Sequence, residues 1–198
     1  MLFRGDAFRE GRSGPIGNVE QPLQLEVFHT ALEHIVSPLE RDGHVVKIVM
    51  DVCVADDAQA NQLKSKAKQI FCERIESICI SNQRDPNQRI SIINMFGRQK
   101  ELMRKVDVVI CTRCDLFWLS CPLPNKINMG IIWGLFYAPK ITTTINDVFH
   151  IVPSDRLEEY MSFFEKHINV SAHSMHILLT QVSVLTDQQF LCNTEKTK

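Results

Sequence analysis

The sequence predicts a single-domain α/β protein with a mostly parallel sheet and helices on both faces. Dense β-branched runs recur, most clearly at 44–54 and 107–115. Segments of helical length, with apolar residues three or four positions apart, separate these runs. Two parallel strands need a long connection, usually a helix, to join them. The alternation therefore favours a parallel sheet with helices on both faces. The predicted domain spans residues 1–185, and residues 186–198 form a polar C-terminal tail.

The first half of the chain begins with the short run "MLFRG", which is predicted to be a strand end. A glycine- and arginine-rich loop follows it. The segment from Leu25 to Leu39 has helical spacing, and 44–54 is typical of a strand buried on both faces. Asp56 or Asp57 is expected to cap the next helix.

The second half continues the alternation. A short strand is predicted at 77–81, and a polar loop and a helix from Ile92 to Met103 follow it. The third long strand is 107–115, and the region from there to Pro139 is predicted to be irregular. The last predicted elements are a strand at 146–152, a helix capped by Ser154, and a helix near 170–182.

Composition excludes several classes of protein. The chain has 198 residues and a net charge of -1, so a nucleic-acid binder is not indicated. No apolar run approaches the roughly 18 residues of a transmembrane segment. The seven cysteines are scattered in apolar segments, which predicts reduced, buried thiols and a cytoplasmic protein.

The stretch "VVICTRCDLFW" at 108–118 carries the first candidate site. Cys111 and Cys114 have no second close pair of ligands, so they are interpreted as packing residues. Asp115 follows a buried strand, where a carboxylate can hold Mn²⁺ or Mg²⁺. Arg113 can add bidentate donors to a diphosphate. The competing interpretation is an ordinary ion pair or a solvated strand end.

Two further segments are candidates. The N-terminal loop contains Arg4, Gly5 and Arg9, and glycine lets backbone N–H groups approach an anion that arginines neutralise. The alternative is a mobile N-terminal loop. Asp147 is a candidate base, metal ligand or hydroxyl acceptor. The nearby His150 is expected to be a satisfied core or rim histidine.

Taken in order, "LFRGDAFREGRSG", "VVICTRCDLFW" and "NDVFHIVPSDRLEEYMSFF" resemble the motifs of a glycosyltransferase-like family. The family occurs in large DNA viruses and microbial eukaryotes, and the resemblance covers about residues 1–170. It implies an A-type nucleotide-sugar transferase fold that uses Mn²⁺ or Mg²⁺. The implied partners are a nucleotide-sugar donor and an acceptor hydroxyl of a glycan, protein or small molecule.

The resemblance also implies roles for individual residues. Arg4, Gly5, Arg9 and Arg113 match positions that contact the nucleotide-sugar. Asp115 matches the metal-binding acid, and Asp147 matches an acid that activates the acceptor. The chain has Arg113 where a full DxD motif has its first acid. Two alternatives therefore stay open. The protein is either a catalytically inactive relative that binds a nucleotide or sugar, or an α/β interaction module with no enzymatic activity.

Overall fold

The structure is a computed structural model of the full chain. It describes residues 1–7, 24–82, 88–114, 116–124, 126–127, 129, 132–136 and 145–169. The predicted N-terminal loop, the helix near 170–182 and the polar tail lie outside the described residues. The chain divides into two compact units, which consist of Met1–Arg84 with Arg113–Cys121 and of Asp85–Thr112 with Pro122–Lys198.

The first unit contains three parallel strands and the helices that connect them. Strand β2 pairs in parallel with both β1 and β3, so it lies between them. The elements are β1 (Leu2–Asp6), α1 (Gln24–Ala31), α2 (Ser37–Arg41), β2 (Ile48–Cys53), α3 (Asp57–Phe71) and β3 (Ile75–Ser81). The parallel arrangement predicted from the β-branched runs holds for these strands.

A π-helical turn, Leu32–Val36, joins α1 to α2. The turn precedes Pro38, which has no backbone N–H to donate within a helix. Pro38 lies in the first turn of α2, the part of a helix that tolerates proline best. The predicted helix from Leu25 to Leu39 is therefore two helices with a wider turn between them. Ile35 and Val36 in the turn are both buried.

Helix α3 has a side-chain cap at its start and a strained residue at its end. The Oδ1 atom of Asp56 accepts a hydrogen bond of 2.8 Å from the backbone N–H of Gln59, which confirms the predicted cap. The helix ends at Cys72, whose φ of 50° lies in the left-handed region. Glycine tolerates that region more readily than cysteine does.

An aromatic cluster forms the core of the first unit. The rings of Phe3, Phe28 and Phe71 have centroids 5.4–5.7 Å apart, and all three side chains are fully buried. They come from β1, α1 and α3, so both helices pack on the same face of β1. Edge-to-face and tilted contacts at these distances add to the stability gained from burying the rings.

The second unit is built on antiparallel pairs. Strand β6 pairs antiparallel with both β4 and β5. The elements are α4 (Gln88–Met103), β4 (Val108–Arg113), β5 (Trp133–Phe136), β6 (Ile145–Pro153) and α5 (Leu157–Lys166). Arg113, the last residue of β4, belongs to the first unit. The described residues from 116 to 132 are irregular, as predicted, and the short strand β5 is the departure from that prediction.

Ser154 does not cap α5 as the sequence predicted. A 3-10 turn, Ser154–Arg156, precedes the helix, and Arg156 occupies the capping position without a side-chain cap. The backbone N–H of Ser154 instead donates to the carbonyl oxygen of Asp107 at 2.9 Å. The acidic first turn of α5 still carries Glu158 and Glu159, which complement the helix dipole.

The core of the second unit is also aromatic. Tyr160 packs against Phe96 and Phe164, with ring centroids 5.3 and 4.9 Å away. Its hydroxyl lies 2.5 Å from Nδ1 of His150, and both side chains are buried. The prediction that His150 is a satisfied core histidine is confirmed.

The two units together confirm the α/β class. Strands and helices alternate along most of the described chain. Within its described portion, no helix combines the length and the apolarity needed to cross a membrane.

Candidate functional site

The two faces of β1 have different chemistry. Phe3 lies in the aromatic cluster, on the face that α1 and α3 cover. Neighbouring residues of a strand point to opposite faces, so Arg4 lies on the other face. Arg4 is nevertheless only 1% exposed. A guanidinium group is therefore enclosed within the first unit.

Asp51 lies next to Arg4. The register of the β1–β2 pair makes Arg4 and Asp51 direct partners, so both side chains leave the same face of the sheet. Asp51 is 7% exposed. Among the residues whose burial the structure describes, Arg4 and Asp51 are the only buried members of the Asp, Glu, Lys and Arg set.

The end of β4 brings Arg113 beside Arg4. The backbone N–H of Cys114 donates to the carbonyl oxygen of Arg4 at 2.9 Å. The thiol of Cys114 lies 3.6 Å from the carbonyl oxygen of Gly5. The carbonyl oxygen of Cys114 accepts a bond of 2.6 Å from Nε2 of the buried Gln24, at the start of α1. Arg113, the preceding residue, is half-buried.

Gly5 has a backbone conformation that favours glycine. Its φ is +94°, and a Cβ built on it would contact nothing within 4 Å. The conformation therefore needs glycine because of the backbone angle and not because of crowding. This leaves space beside the backbone at a position between Arg4 and the end of β1.

The carboxyl ends of the strands are held together by backbone bonds. The backbone N–H of Ala7 donates to the carbonyl oxygen of Cys53 at 2.9 Å. The backbone N–H of Val54 donates to the carbonyl oxygen of Ser81 at 3.0 Å. Strands β2 and β3 lie on one side of β1, whereas Arg113 and Cys114 lie on the other side. The strand order therefore reverses at β1. Ligands of open α/β sheets bind at the carboxyl ends of strands where the order reverses.

The structure brings together three of the residues that the sequence singled out. Arg4, Gly5 and Arg113 are neighbours at this end of the first unit. Arg9 and Asp115 lie outside the described residues. Asp147 lies in β6 of the second unit, and its side chain is not among those described. The roles of all six residues stay predictions.

Sequence reasoning missed Asp51. The signal was present, since an acid inside the run "HVVKIVMDVCV" interrupts an otherwise apolar strand. A carboxylate in such a position is buried and needs a partner. Its position beside Arg4 in the sheet could not be read from the sequence, because β1 and β2 are separated by more than forty positions and their register is not encoded locally.

The described residues do not form a metal site by themselves. No group of three or more His, Cys, Asp or Glu side chains among them is arranged to hold a metal ion. Asp51 is buried, and its Cα partner in the register of β1 and β2 is Arg4. Asp115, the predicted metal ligand, lies outside the described residues.

The cysteines of "CTRC" fit a packing role. Cys111 and Cys114 are both buried. In the second unit Cys111 is the register partner of His150, whose Nδ1 already lies against Tyr160. The interpretation of these thiols as packing residues agrees with this burial.

Comparison with known proteins does not place the chain in a family. No family model, no curated protein and no solved structure matches it.

Proposed function

We propose that the protein is a glycosyltransferase that moves a sugar from a nucleotide-sugar donor to an acceptor hydroxyl. The observation that carries the proposal is the meeting of Arg4, Gly5 and Arg113 at the carboxyl end of β1, where the strand order reverses. Such a position suits a diphosphate, because guanidinium groups donate paired hydrogen bonds to phosphate oxygens. The sequence resemblance supports the same class of donor.

Each residue has a proposed role. Arg113 is half-buried and donates to the diphosphate, and Arg4 adds positive charge behind it. Gly5 lets the phosphate oxygens come close to the backbone. Arg9 contributes a third guanidinium group. These groups stabilise the negative charge that grows on the nucleoside diphosphate as it leaves the sugar carbon.

Two carboxylates complete the proposal. Asp147 takes the proton of the acceptor hydroxyl as that oxygen attacks the sugar carbon. Asp115 holds Mn²⁺ or Mg²⁺, which when bound would neutralise part of the charge of the diphosphate. The acceptor is a hydroxyl of a glycan, a protein or a small molecule.

Thermal unfolding against a panel of nucleotides and nucleotide-sugars, with and without Mn²⁺, tests the proposal. A ligand at 100 times its dissociation constant stabilises the folded protein by about 2.7 kcal/mol. We expect such a shift for at least one nucleoside diphosphate or its sugar conjugate. The nucleotide that gives the largest shift identifies the donor for an assay of sugar transfer.

Two variants sharpen the test. We expect Arg113→Met to abolish the shift and Asp115→Ala to abolish the part of it that needs the metal. Arg41→Met is the matched control, because Arg41 is an exposed arginine in the last turn of α2. Absence of a shift with every nucleotide, metal present, would contradict the proposal and favour an α/β interaction module.

A catalytically inactive nucleotide-sugar-binding relative is the second candidate. Arg113 stands where a complete DxD motif has an acid, and it lies beside a second arginine. Two guanidinium groups favour binding of the diphosphate but oppose binding of a metal ion. Nucleotide binding that does not respond to Mn²⁺, without release of nucleoside diphosphate in the presence of acceptors, would identify this candidate.

A further inference from the structure

A small cavity lies between helices α4 and α5 of the second unit. Its volume is about 180 Å³, and residues of the two helices and of the turns beside them line it. The buried side chains of Phe96, Met103 and Leu157 form its floor, and the half-buried Met161 borders them. Pockets for drug-sized ligands measure roughly 300–1,000 Å³, so this cavity suits a smaller body, such as one aromatic ring or a short alkyl chain.

The chemistry of the floor favours an apolar ligand group. Met103 and Met161 have unbranched, polarisable side chains that adapt to the shape of a ligand, and their sulfur atoms make favourable contacts with aromatic rings. Phe96 adds an aromatic ring that can pack against a second ring. Covering this floor removes apolar surface from water, which supplies a driving force for binding.

Charged side chains lie at the mouth of the cavity. Lys100, Arg104 and Glu158 belong to its lining, and their side chains are 37%, 54% and 65% exposed. Nζ of Lys100 lies 2.8 Å from Oε1 of Glu158, and Nη2 of Arg104 lies 3.4 Å from the same oxygen. The two cations therefore already converge on one carboxylate oxygen, above an apolar floor.

The carboxylate of Glu158 holds this place only weakly. Exposed ion pairs contribute little, because water and salt screen them and two long side chains lose freedom in forming them. A ligand carboxylate at the same place would use the same donors, while its apolar body would cover the floor. Glu101, outside the lining, also contacts Arg104 at 3.1 Å, so the charge of Arg104 is shared between two acids and Lys100 is the cation to test.

We infer that the cavity between α4 and α5 binds a small amphiphilic anion, with an apolar body and a single carboxylate, and that Glu158 competes with this ligand for Lys100 and Arg104. The lining carries two positive charges and one negative charge, so a monoanion balances it. All of the lining belongs to the second unit, whereas the candidate site that supports the proposed function belongs to the first. Binding at this cavity is therefore independent of the proposed function.

The first experiment follows isotope-labelled methionine methyl groups of the full chain by nuclear magnetic resonance. The chain has seven methionines, and the variants Met103→Leu and Met161→Leu assign the two signals of the cavity. Phenylacetate, benzyl alcohol and benzylamine are titrated, because they share a benzyl body and differ in charge. We expect these two signals to shift to saturation, with phenylacetate binding most tightly and benzylamine least tightly. Acetate, which lacks the apolar body, should leave both signals in place.

The second experiment measures the affinity of phenylacetate for charge variants. Lys100→Met should weaken binding and Glu158→Gln should tighten it, each by up to about fivefold, which is the effect of a strong exposed ion pair. Lys166→Met is the matched control, because Lys166 is an exposed lysine in the last turn of α5 and is outside the lining. It should leave the affinity unchanged. Benzyl alcohol should bind all of these proteins equally well, which a merely structural role of the charged residues would not explain.

Three outcomes would overturn the assignment. Equal affinities of the wild type for phenylacetate and benzyl alcohol would identify an apolar cavity without a role for the cations. Tighter binding of benzylamine than of phenylacetate would show that Glu158 is a contact to the ligand and not its competitor. Shifts spread over all seven methionine signals, or no shift with any probe, would remove the cavity as a binding site. None of these measurements uses a nucleotide, so the proposed function is tested separately.

Discussion

At the scale of single residues, a few positions have conformations or partners that few substitutions would preserve. Gly5, a residue of the candidate site, has a positive φ near the end of β1. Tyr160 shares a short contact with His150 in the core of the second unit. The backbone angle restricts the residue at position 5, and the buried contact with His150 restricts the residue at position 160. The effect of a substitution at either position therefore has one main physical cause.

Replacing Gly5 by alanine should destabilise the protein by about 1–2 kcal/mol, because alanine must adopt a positive φ of +94°. The added Cβ meets no neighbouring atom, so steric crowding contributes nothing. Urea unfolding measures the change. Gly97→Ala is the control, because Gly97 lies within α4, has no positive φ and has open space beside it. An equal or larger loss for Gly97→Ala would contradict the argument.

Replacing Tyr160 by phenylalanine should cost about 1–2 kcal/mol of stability, because the ring stays while the hydroxyl next to Nδ1 of His150 is lost. Phe163 and Phe164 on the same helix show that the helix accepts phenylalanine. Thermal unfolding measures the loss. A variant as stable as the wild type would show that the hydroxyl contributes nothing net to the fold.

At the scale of elements, helix ends decide where the chain turns. Asp56 caps α3 through a bond of 2.8 Å, and Cys72 ends the same helix with φ 50°. Arg74, two residues later, forms two bonds of 2.6 and 3.0 Å to Glu40 in α2. This contact with Glu40 raises the pKa of Arg74. The helix therefore begins with a favourable cap and ends in a strained turn next to an ion pair.

Replacing Asp56 by alanine should destabilise the protein by about 1 kcal/mol, since the N–H of Gln59 loses its acceptor. Asp56→Asn is the matched variant, because asparagine keeps a side-chain oxygen that can accept the same bond. We expect Asp56→Asn to retain most of the stability. Equal losses in the two variants, measured by urea unfolding, would contradict the capping role.

Replacing Cys72 by glycine should stabilise the protein by about 1 kcal/mol, because glycine adopts φ 50° without strain. The side chain is exposed, so its loss removes little packing. The gain should appear as a higher midpoint of unfolding. Cys72→Ala separates the two effects, because it removes the thiol and keeps the strain, and it should not stabilise.

The sequence predicts elements well where local chemistry decides them. The β-branched runs correctly predicted β2 and β4. The acid before an amphipathic segment correctly predicted the cap at Asp56. Strand β5, with the sequence "WGLF", was missed because it is short and contains a glycine. The position of Asp51 beside Arg4 in the sheet was missed because the register between distant strands depends on the whole sheet.

At the scale of the whole molecule, exposed ion pairs connect separate elements within each unit. In the second unit Glu158 of α5 lies 2.8 Å from Nζ of Lys100 and 3.4 Å from Arg104, both of the segment around α4. The bond from Lys100 and its charge lower the pKa of Glu158. These contacts are solvent-exposed, so salt screens them.

The lowered pKa of Glu158 gives a direction for the pH dependence of stability. The folded protein holds this carboxyl ionised at a lower pH than the unfolded chain does, whose ordinary value is 4.5. The stabilising contribution is therefore present above that value and is lost as the pH falls below it. Unfolding midpoints measured across this range should fall less steeply for Glu158→Gln than for the wild type. Parallel curves for the two proteins would contradict the contribution.

The π-helical turn at Leu32–Val36 has a consequence for the length of the chain. A π turn holds one residue more than an α-helical turn, so it absorbs an insertion without rotating the helices on either side of it. Deleting the exposed Glu33 should therefore give a continuous α-helix that keeps the buried faces of both flanks. Deleting the exposed Lys64 from the regular helix α3 should instead rotate the rest of that helix and unfold the protein. This helix pair is thus a place in the described part of the chain where the fold can lose a residue and retain its core.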